Sequence, residues 1–114
     1  MLRQGKDWGY TTLIFKSQTV EVHDLEIEKG GFCSEHKHQK INMFYVQTGL
    51  LKVRIWRGKK MIDETIVGPG QTTAVYRGFW HDFEGLKDTR CIEIYHVFLE
   101  SGDIKRRTKG GLKK

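Results

Sequence analysis

Residues 41–56 read Ile-Asn-Met-Phe-Tyr-Val-Gln-Thr-Gly-Leu-Leu-Lys-Val-Arg-Ile-Trp. β-Branched and aromatic side chains, which suit a pleated, half-buried surface, fill both halves. Thr48-Gly49 interrupts them as a tight connection. Ile41 to Thr48 and Leu50 to Trp56 are therefore expected to be two strands joined as a hairpin.

The same pattern extends in both directions. Towards the C-terminus, Arg57-Gly58-Lys59-Lys60 reads as a turn into a strand over Met61 to Val67. Gly68-Pro69-Gly70 then punctuates the chain before Thr72 to Tyr76, and Cys91 to Leu99 is the last strand. Towards the N-terminus, Val20, Val22, Leu25 and Ile27 are set among Glu21, Asp24, Glu26 and Glu28. The apolar positions change phase near His23, which predicts a bulge. Helical periodicity is weak throughout. Short strands separated by glycine turns predict an all-β antiparallel sandwich or barrel, of which the jelly roll is one form. Asp103 to Arg107 has room for one helical turn.

A chain of 114 residues fits one domain with a real core. The reading is a single barrel over residues 1–100, with its core in 18–100, followed by a basic tail over 101–114. That tail carries Lys105, Arg106, Arg107, Lys109, Lys113 and Lys114 against Asp103, so it holds most of the formal net charge of +6. It lacks the interleaved aromatics that stack bases, and it is read as a solvated terminus, not a nucleic-acid arm. No apolar run approaches the roughly eighteen residues of a membrane span, and the first ten residues include Arg3, Lys6 and Asp7. A cytoplasmic, soluble protein is the expectation. Cys33 and Cys91 are the only cysteines, which argues against a disulfide scaffold and for two packed, reduced thiols.

Chemistry enters with the histidines. His36 and His38 are two apart, so in an extended segment both imidazoles project to one face while Lys37 points away. His81 comes much later, after Gly78-Phe79-Trp80. Three imidazoles suit zinc, iron, copper or nickel and leave coordination positions open for water or substrate. Read from the residues alone, His36 and His38 fit a solvated polar strand equally well.

Gly30, His36, His38 and Gly49 fall at the spacing Gly-x5-His-x-His-x3-x-x6-Gly, and Gly70, Gly78 and His81 at Gly-x5-x-x-Gly-x2-His. In both places the chain resembles the cupin superfamily. The resemblance implies a cupin-type antiparallel jelly-roll β-barrel, with His36, His38 and His81 holding a divalent ion such as zinc, manganese, iron or nickel. Three positions depart from the family pattern. Asn42 stands where cupins usually carry a metal-binding glutamate, Tyr76 replaces a proline, and Gly85 replaces an asparagine. A neutral amide is a poorer ligand than a carboxylate for a hard dication, so the site has either three imidazoles alone or three imidazoles with a weak Asn42 oxygen, and it should favour an anionic partner.

Arg77 and Arg54 are candidate contacts for such an anion, and Trp80, next to His81, is a candidate ligand contact. Glu93 is a candidate catalytic base or replacement carboxylate if its phase of the last strand, shared with Cys91 and Tyr95, faces inward. His96 lies on the opposite phase with Ile92 and Ile94. The stretch from His81 through Arg90-Cys91-Ile92-Glu93-Ile94 to Asp103-Ile104-Lys105-Arg106 is similar to the cupin domain of type II mannose-6-phosphate isomerases. That likeness implies a metal-assisted sugar-phosphate isomerase or epimerase. The missing glutamate keeps open a three-histidine iron dioxygenase and a non-catalytic cupin that binds a sugar or another small anion. Family habit also implies a homodimer.

Overall fold

A computed structural model describes residues 2–97 together with 107, 110, 112 and 113. The last two positions read into the C-terminal strand, 98 and 99, and the turn at 103–107 except for Arg107 lie outside the described residues. Nine strands make up the described fold: β1 (Arg3–Lys6), β2 (Gly9–Lys16), β3 (Val20–Ile27), β4 (Ile41–Thr48), β5 (Leu51–Arg57), β6 (Lys60–Val67), β7 (Thr72–Val75), β8 (Trp80–Gly85) and β9 (Thr89–His96). No helix occurs among the described residues, and none is long and apolar enough to cross a membrane.

The strands form two antiparallel sheets, a six-stranded one in the order β1-β2-β3-β9-β4-β7 and a three-stranded one in the order β6-β5-β8. Their inner faces enclose Leu25, Ile27, Phe44, Val46, Leu51, Val53, Val67, Val75, Phe83 and Cys91. This is an all-β jelly-roll barrel. Burial of this apolar set is its main source of stability, at roughly 25 cal/mol for each Å² removed from water.

Two local expectations are corrected. β4 and β5 do not pair as a hairpin: β4 bonds to β7 and β9, while β5 bonds to β6 and β8. Thr48-Gly49 instead carries the chain from one sheet to the other. Gly49 has φ +92° there, and a Cβ on it would lie 2.4 Å from the Asp88 carbonyl oxygen, so both the backbone conformation and the space require glycine. The second correction concerns β3, which runs against β9 in unbroken register. The irregularity sits opposite, in β2 between Leu13 and Phe15. Val20 and Val22 simply face outward while Leu25 and Ile27 face the core, so the apparent phase change comes from a strand with apolar residues on both sides.

The hairpin β5–β6 forms as read, closed at Gly58 with φ +60°. β1 and β2, which precede the core as read from sequence, extend the larger sheet.

Candidate metal centre

The segment before β4 delivers the first two histidines. Residues 30–36 run along β8: Gly30 N–H donates to Gly85 O at 2.8 Å, Cys33 N–H to Phe83 O at 3.2 Å, and His36 and His81 exchange backbone bonds of 3.0 and 2.8 Å. His38 O accepts from Gly78 N–H at 2.7 Å, tying the second histidine to the turn that leads into His81. Backbone pairing thus brings together residues far apart in sequence.

The ligand atoms of His36, His38 and His81 all lie within 4.8 Å of one another. Ring centroids are 4.7 Å apart for His36–His38, 4.3 Å for His36–His81 and 5.2 Å for His38–His81. His36 Nδ1 lies 2.7 Å from Ser34 O. A carbonyl oxygen only accepts, so Nδ1 carries the proton and Nε2 keeps its lone pair. His81 Nδ1 has the same relation to Phe79 O at 3.1 Å. Burial, reinforced by the two neighbouring histidines, pushes His81 down to about 4, and burial lowers His38 as well. These rings are therefore neutral near physiological pH, the state in which imidazole binds a metal.

His38 Nε2 is buried and has no hydrogen-bond partner among the described residues. An orphaned buried nitrogen is costly, typically 1–3 kcal/mol, and here it belongs to a cluster of three converging nitrogen donors. The donor set fits a divalent transition metal.

Asn42, fully buried, lies beside the cluster, with Oδ1 3.0 Å from His81 Nε2 and Nδ2 donating to Glu93 Oε2 at 3.4 Å. Glu93 faces inward with Cys91 and Tyr95, which fulfils the condition attached to it. Burial raises its carboxyl to about 7, against the lowering effect of hydrogen bonds from Tyr95 and Asn42. His36, Glu93 and Tyr95 line one hollow of about 440 Å³, with Trp8, Thr11 and His23 on its other walls. A smaller hollow of about 380 Å³ opens on the His38 side, beside Lys40 and Tyr95.

The other candidates fall in different places. Arg54 lies on the outward face of β5, where its guanidinium bonds Asp82 at 3.2 and 3.3 Å and also Glu84. Arg77 is exposed in the turn between β7 and β8. Trp80 is 39 % exposed at the start of β8, with Lys37 Nζ 4.9 Å from its ring centroid. His96 is half-buried on the outward phase, with Nδ1 3.0 Å from Val97 O. Cys33 and Cys91 are both free and buried; burial pushes the Cys33 thiol up to about 12.

Of two further groups in the His36–Glu93 hollow, Tyr95 is expected from sequence in the core or at the barrel mouth, and His23 carries no role from sequence. His23 bonds Thr11 Oγ1 at 3.3 Å and Glu21 Oε1 at 3.1 Å, and Tyr95 packs edge-on to His38 at 4.8 Å. His23 shares the period-two face of Leu25 and Ile27, the signal that would have placed it inward.

No family model matches the chain, and no curated protein matches it. Solved structures do. KdgF from Halomonas sp. superposes with a TM-score of 0.73 at 14 % identity, covering 87 % of this chain and 90 % of that one. A cupin superfamily protein from Desulfitobacterium hafniense gives 0.68 at 12 % identity, covering 77 % and 76 %. Oxalate decarboxylase from Bacillus subtilis, a protein studied for its Mn(II) centres, gives 0.75 at 16 % identity, covering 91 % of this chain and 28 % of that one. Identities this low establish the fold, and that fold is the cupin-type jelly roll. Within that fold, His36, His38 and His81 form a cluster of three donors that could hold a metal ion.

Proposed function

We propose that this protein is a metal-binding cupin that acts on or binds a sugar or sugar phosphate, with chemistry of the isomerase or epimerase type. The observation that carries the reading is the shared hollow: His36 of the donor cluster and the buried carboxyl of Glu93 line the same space. His36, His38 and His81 would hold the ion, with Asn42 as a weak fourth ligand. A bound divalent ion would polarise a carbonyl or hydroxyl oxygen of the substrate.

The chain's own residues supply the rest. Glu93, raised to about 7, can take a proton from a carbon beside a carbonyl and return it near neutral pH. Tyr95 and Asn42 hydrogen-bond to that carboxyl and hold it in place. Trp8 and Phe83, in edge-to-face contact at 5.0 Å, give the hollow an apolar wall against which a sugar ring can pack. The chain is read as one barrel with a basic tail. Phe15, Val22, Ile94 and Met43, which form one row across the outer face of the six-stranded sheet, are read as the contact between two copies.

The test pairs metal analysis of the untagged protein with a turnover screen on aldose and ketose phosphates. Close to one transition metal per chain, lost in the double variant His36→Ala/His81→Ala, together with turnover lost in Glu93→Gln, is the expected result. Metal retention without turnover on a full panel would reject the isomerase reading. A second reading, a three-histidine iron dioxygenase, is favoured by the neutral amide of Asn42 in the fourth position. Oxygen uptake after anaerobic iron loading distinguishes it, because isomerisation consumes no oxygen.

A further inference from the structure

The inner face of β3 changes character along its length. Leu25 and Ile27 enter the apolar core, whereas towards the start of the strand the same period-two face carries Glu21 and His23. Across the pairing with β9, Glu21 stands opposite Tyr95 and His23 opposite Glu93. Thr11 enters from β2, the next strand of the sheet. Thr11, His23, Glu93 and Tyr95 all line the hollow of about 440 Å³ that also reaches His36. Stability does not account for such a polar patch inside a barrel, because well-packed apolar side chains of similar volume are often at least as stable there.

Within the patch, Glu21, His23 and Thr11 form a hydrogen-bonded chain. Glu21 Oε1 lies 3.1 Å from His23 Nε2, and His23 Nδ1 lies 3.3 Å from Thr11 Oγ1. A carboxylate only accepts, so Nε2 carries a proton and Nδ1 is the nitrogen left to exchange one. A hydroxyl both donates and accepts, so Thr11 can pass that proton between Nδ1 and a ligand oxygen in the hollow. The Glu21 and His23 side chains keep 27 % and 18 % of their surface exposed, so the pair is sheltered without being sealed off. Tyr95 packs edge-on to the His23 ring at 5.8 Å. Residues directly opposite in an antiparallel pair hold their Cβ atoms about 5 Å apart, so His23 and Glu93 can serve neighbouring atoms of one ligand.

We propose that His23 is a second proton carrier of this site, exchanging a proton with a ligand hydroxyl through Thr11, and that Glu21 is the positioning residue that fixes its ring. The proposal deepens the isomerase reading given above and rests on it for the reaction. There Glu93 serves carbon, but conversion of an aldose into a ketose also moves a hydrogen between oxygens. With His23 as imidazolium, the Glu93 carboxylate takes the proton from C2 of the open-chain aldose while Thr11 donates its hydroxyl proton to O1 and His23 Nδ1–H replaces it, which leaves a neutral enediol. The O2 hydroxyl then returns a proton through Thr11 to Nδ1 while Glu93 delivers its proton to C1. One hydrogen has moved from C2 to C1 and one from O2 to O1, and both carriers end as they began.

The test uses the metal-loaded full chain with glucose 6-phosphate, mannose 6-phosphate and ribose 5-phosphate as aldose probes, and records metal content and thermal midpoint for every variant. His23→Ala and Thr11→Val should each lower kcat at least about a hundredfold while KM stays within about twofold. Thr11→Ser should keep most of the rate, and added imidazole should restore turnover to His23→Ala. Glu21→Leu should lower kcat by a smaller factor. Nitrogen NMR of the neutral His23 ring should place its proton on Nε2 in the parent and show mixed tautomers in Glu21→Leu. Unchanged kcat in folded His23→Ala or Thr11→Val, or losses relieved by neither Thr11→Ser nor imidazole, overturns the relay. Where His23→Ala does not fold, the comparison of Thr11→Val with Thr11→Ser decides. Turnover lost in Glu93→Gln but kept in the His23 and Thr11 variants removes the relay and leaves the isomerase reading intact. A parent that converts none of the probes rejects both.

Discussion

His81 Nε2 lies 3.0 Å from Asn42 Oδ1 while the other nitrogen of the same ring lies 3.1 Å from the Phe79 carbonyl oxygen. Neither neutral tautomer satisfies both contacts, because one nitrogen lone pair always faces an oxygen. An imidazolium would satisfy both, but burial holds His81 at about 4. A cation between Nε2 and Oδ1 removes the conflict, and so does an amide turned to donate to Nε2. Metal retention should therefore depend on residue 42. Asn42→Asp should lose metal to a chelator roughly tenfold more slowly than the parent, and Asn42→Leu roughly tenfold faster. Loss rates that ignore residue 42 would remove Asn42 from the ligand set.

His38 gives a separate handle. Replacing it with leucine removes the orphaned nitrogen, so the metal-free variant should match the parent or gain about 1 kcal/mol in urea unfolding. The parent should be stabilised by about 2.7 kcal/mol at a metal concentration a hundredfold above Kd, a thermal rise of roughly 10 °C. His38→Leu should lose that rise. A thermal scan with and without zinc decides the matter.

The pH profile of the metal-free protein tests the buried pair. His81 sits at about 4 instead of its ordinary 6.5, so between those values the unfolded chain binds a proton that the folded chain refuses. Stability from this group, up to about 3 kcal/mol, is lost as pH falls from 6.5 to 4. His38, lowered in the same direction, adds to that slope. Glu93 sits at about 7 instead of 4.5, so over that window the folded chain keeps a proton that the unfolded chain has released. Its contribution, of similar size, is lost as pH rises from 4.5 to 7. The opposing slopes should leave the parent nearly flat between pH 4.5 and 6.5. Glu93→Gln should uncover a steep loss on acidification, read from urea midpoints.

Arg54 should matter for stability and not for the metal. Arg54→Ala leaves the carboxylates of Asp82, 7 % exposed, and Glu84 without their cation. A cost of about 2 kcal/mol in urea unfolding is expected, below the 3–5 kcal/mol of a fully buried pair because the site is partly open to solvent. Metal content should not change.

Gly49 tests the crossover. Gly49→Ala meets backbone at 2.4 Å in a left-handed conformation and should cost about 3 kcal/mol or more. Gly58→Ala, at φ +60° with nothing within 4 Å, should cost only about 1 kcal/mol. Equal costs would mean that the close approach to Asp88 and Thr89 carries no weight.

Much of this protein was legible from local pattern. The strand over Ile41 to Thr48 coincides with β4, the turn at Gly58 closes a hairpin, and the motif spacing marked His36, His38 and His81 as one cluster. The first two follow from side-chain period and backbone preference, which act over a few residues, and the third from the resemblance to the cupin motifs. Partner choice between strands does not. The sequence of β4 and β5 is compatible with a hairpin, and only the competition of β7, β8 and β9 for their edges sends the two to different sheets. The same holds for β9, where both phases carry residues fit to be buried. Packing of Cys91 and Glu93 against the Leu25 face of β3 and the Phe44 face of β4 turned Glu93 inward and His96 outward. Charge pairing was equally a tertiary matter, since Arg54 and Arg77 are alike in sequence and only the fold set two carboxylates against the first. Local preference determined the strands, and the motif resemblance singled out the three histidines of the cluster. Long-range packing decided which face held the carboxyl and which cations met carboxylates.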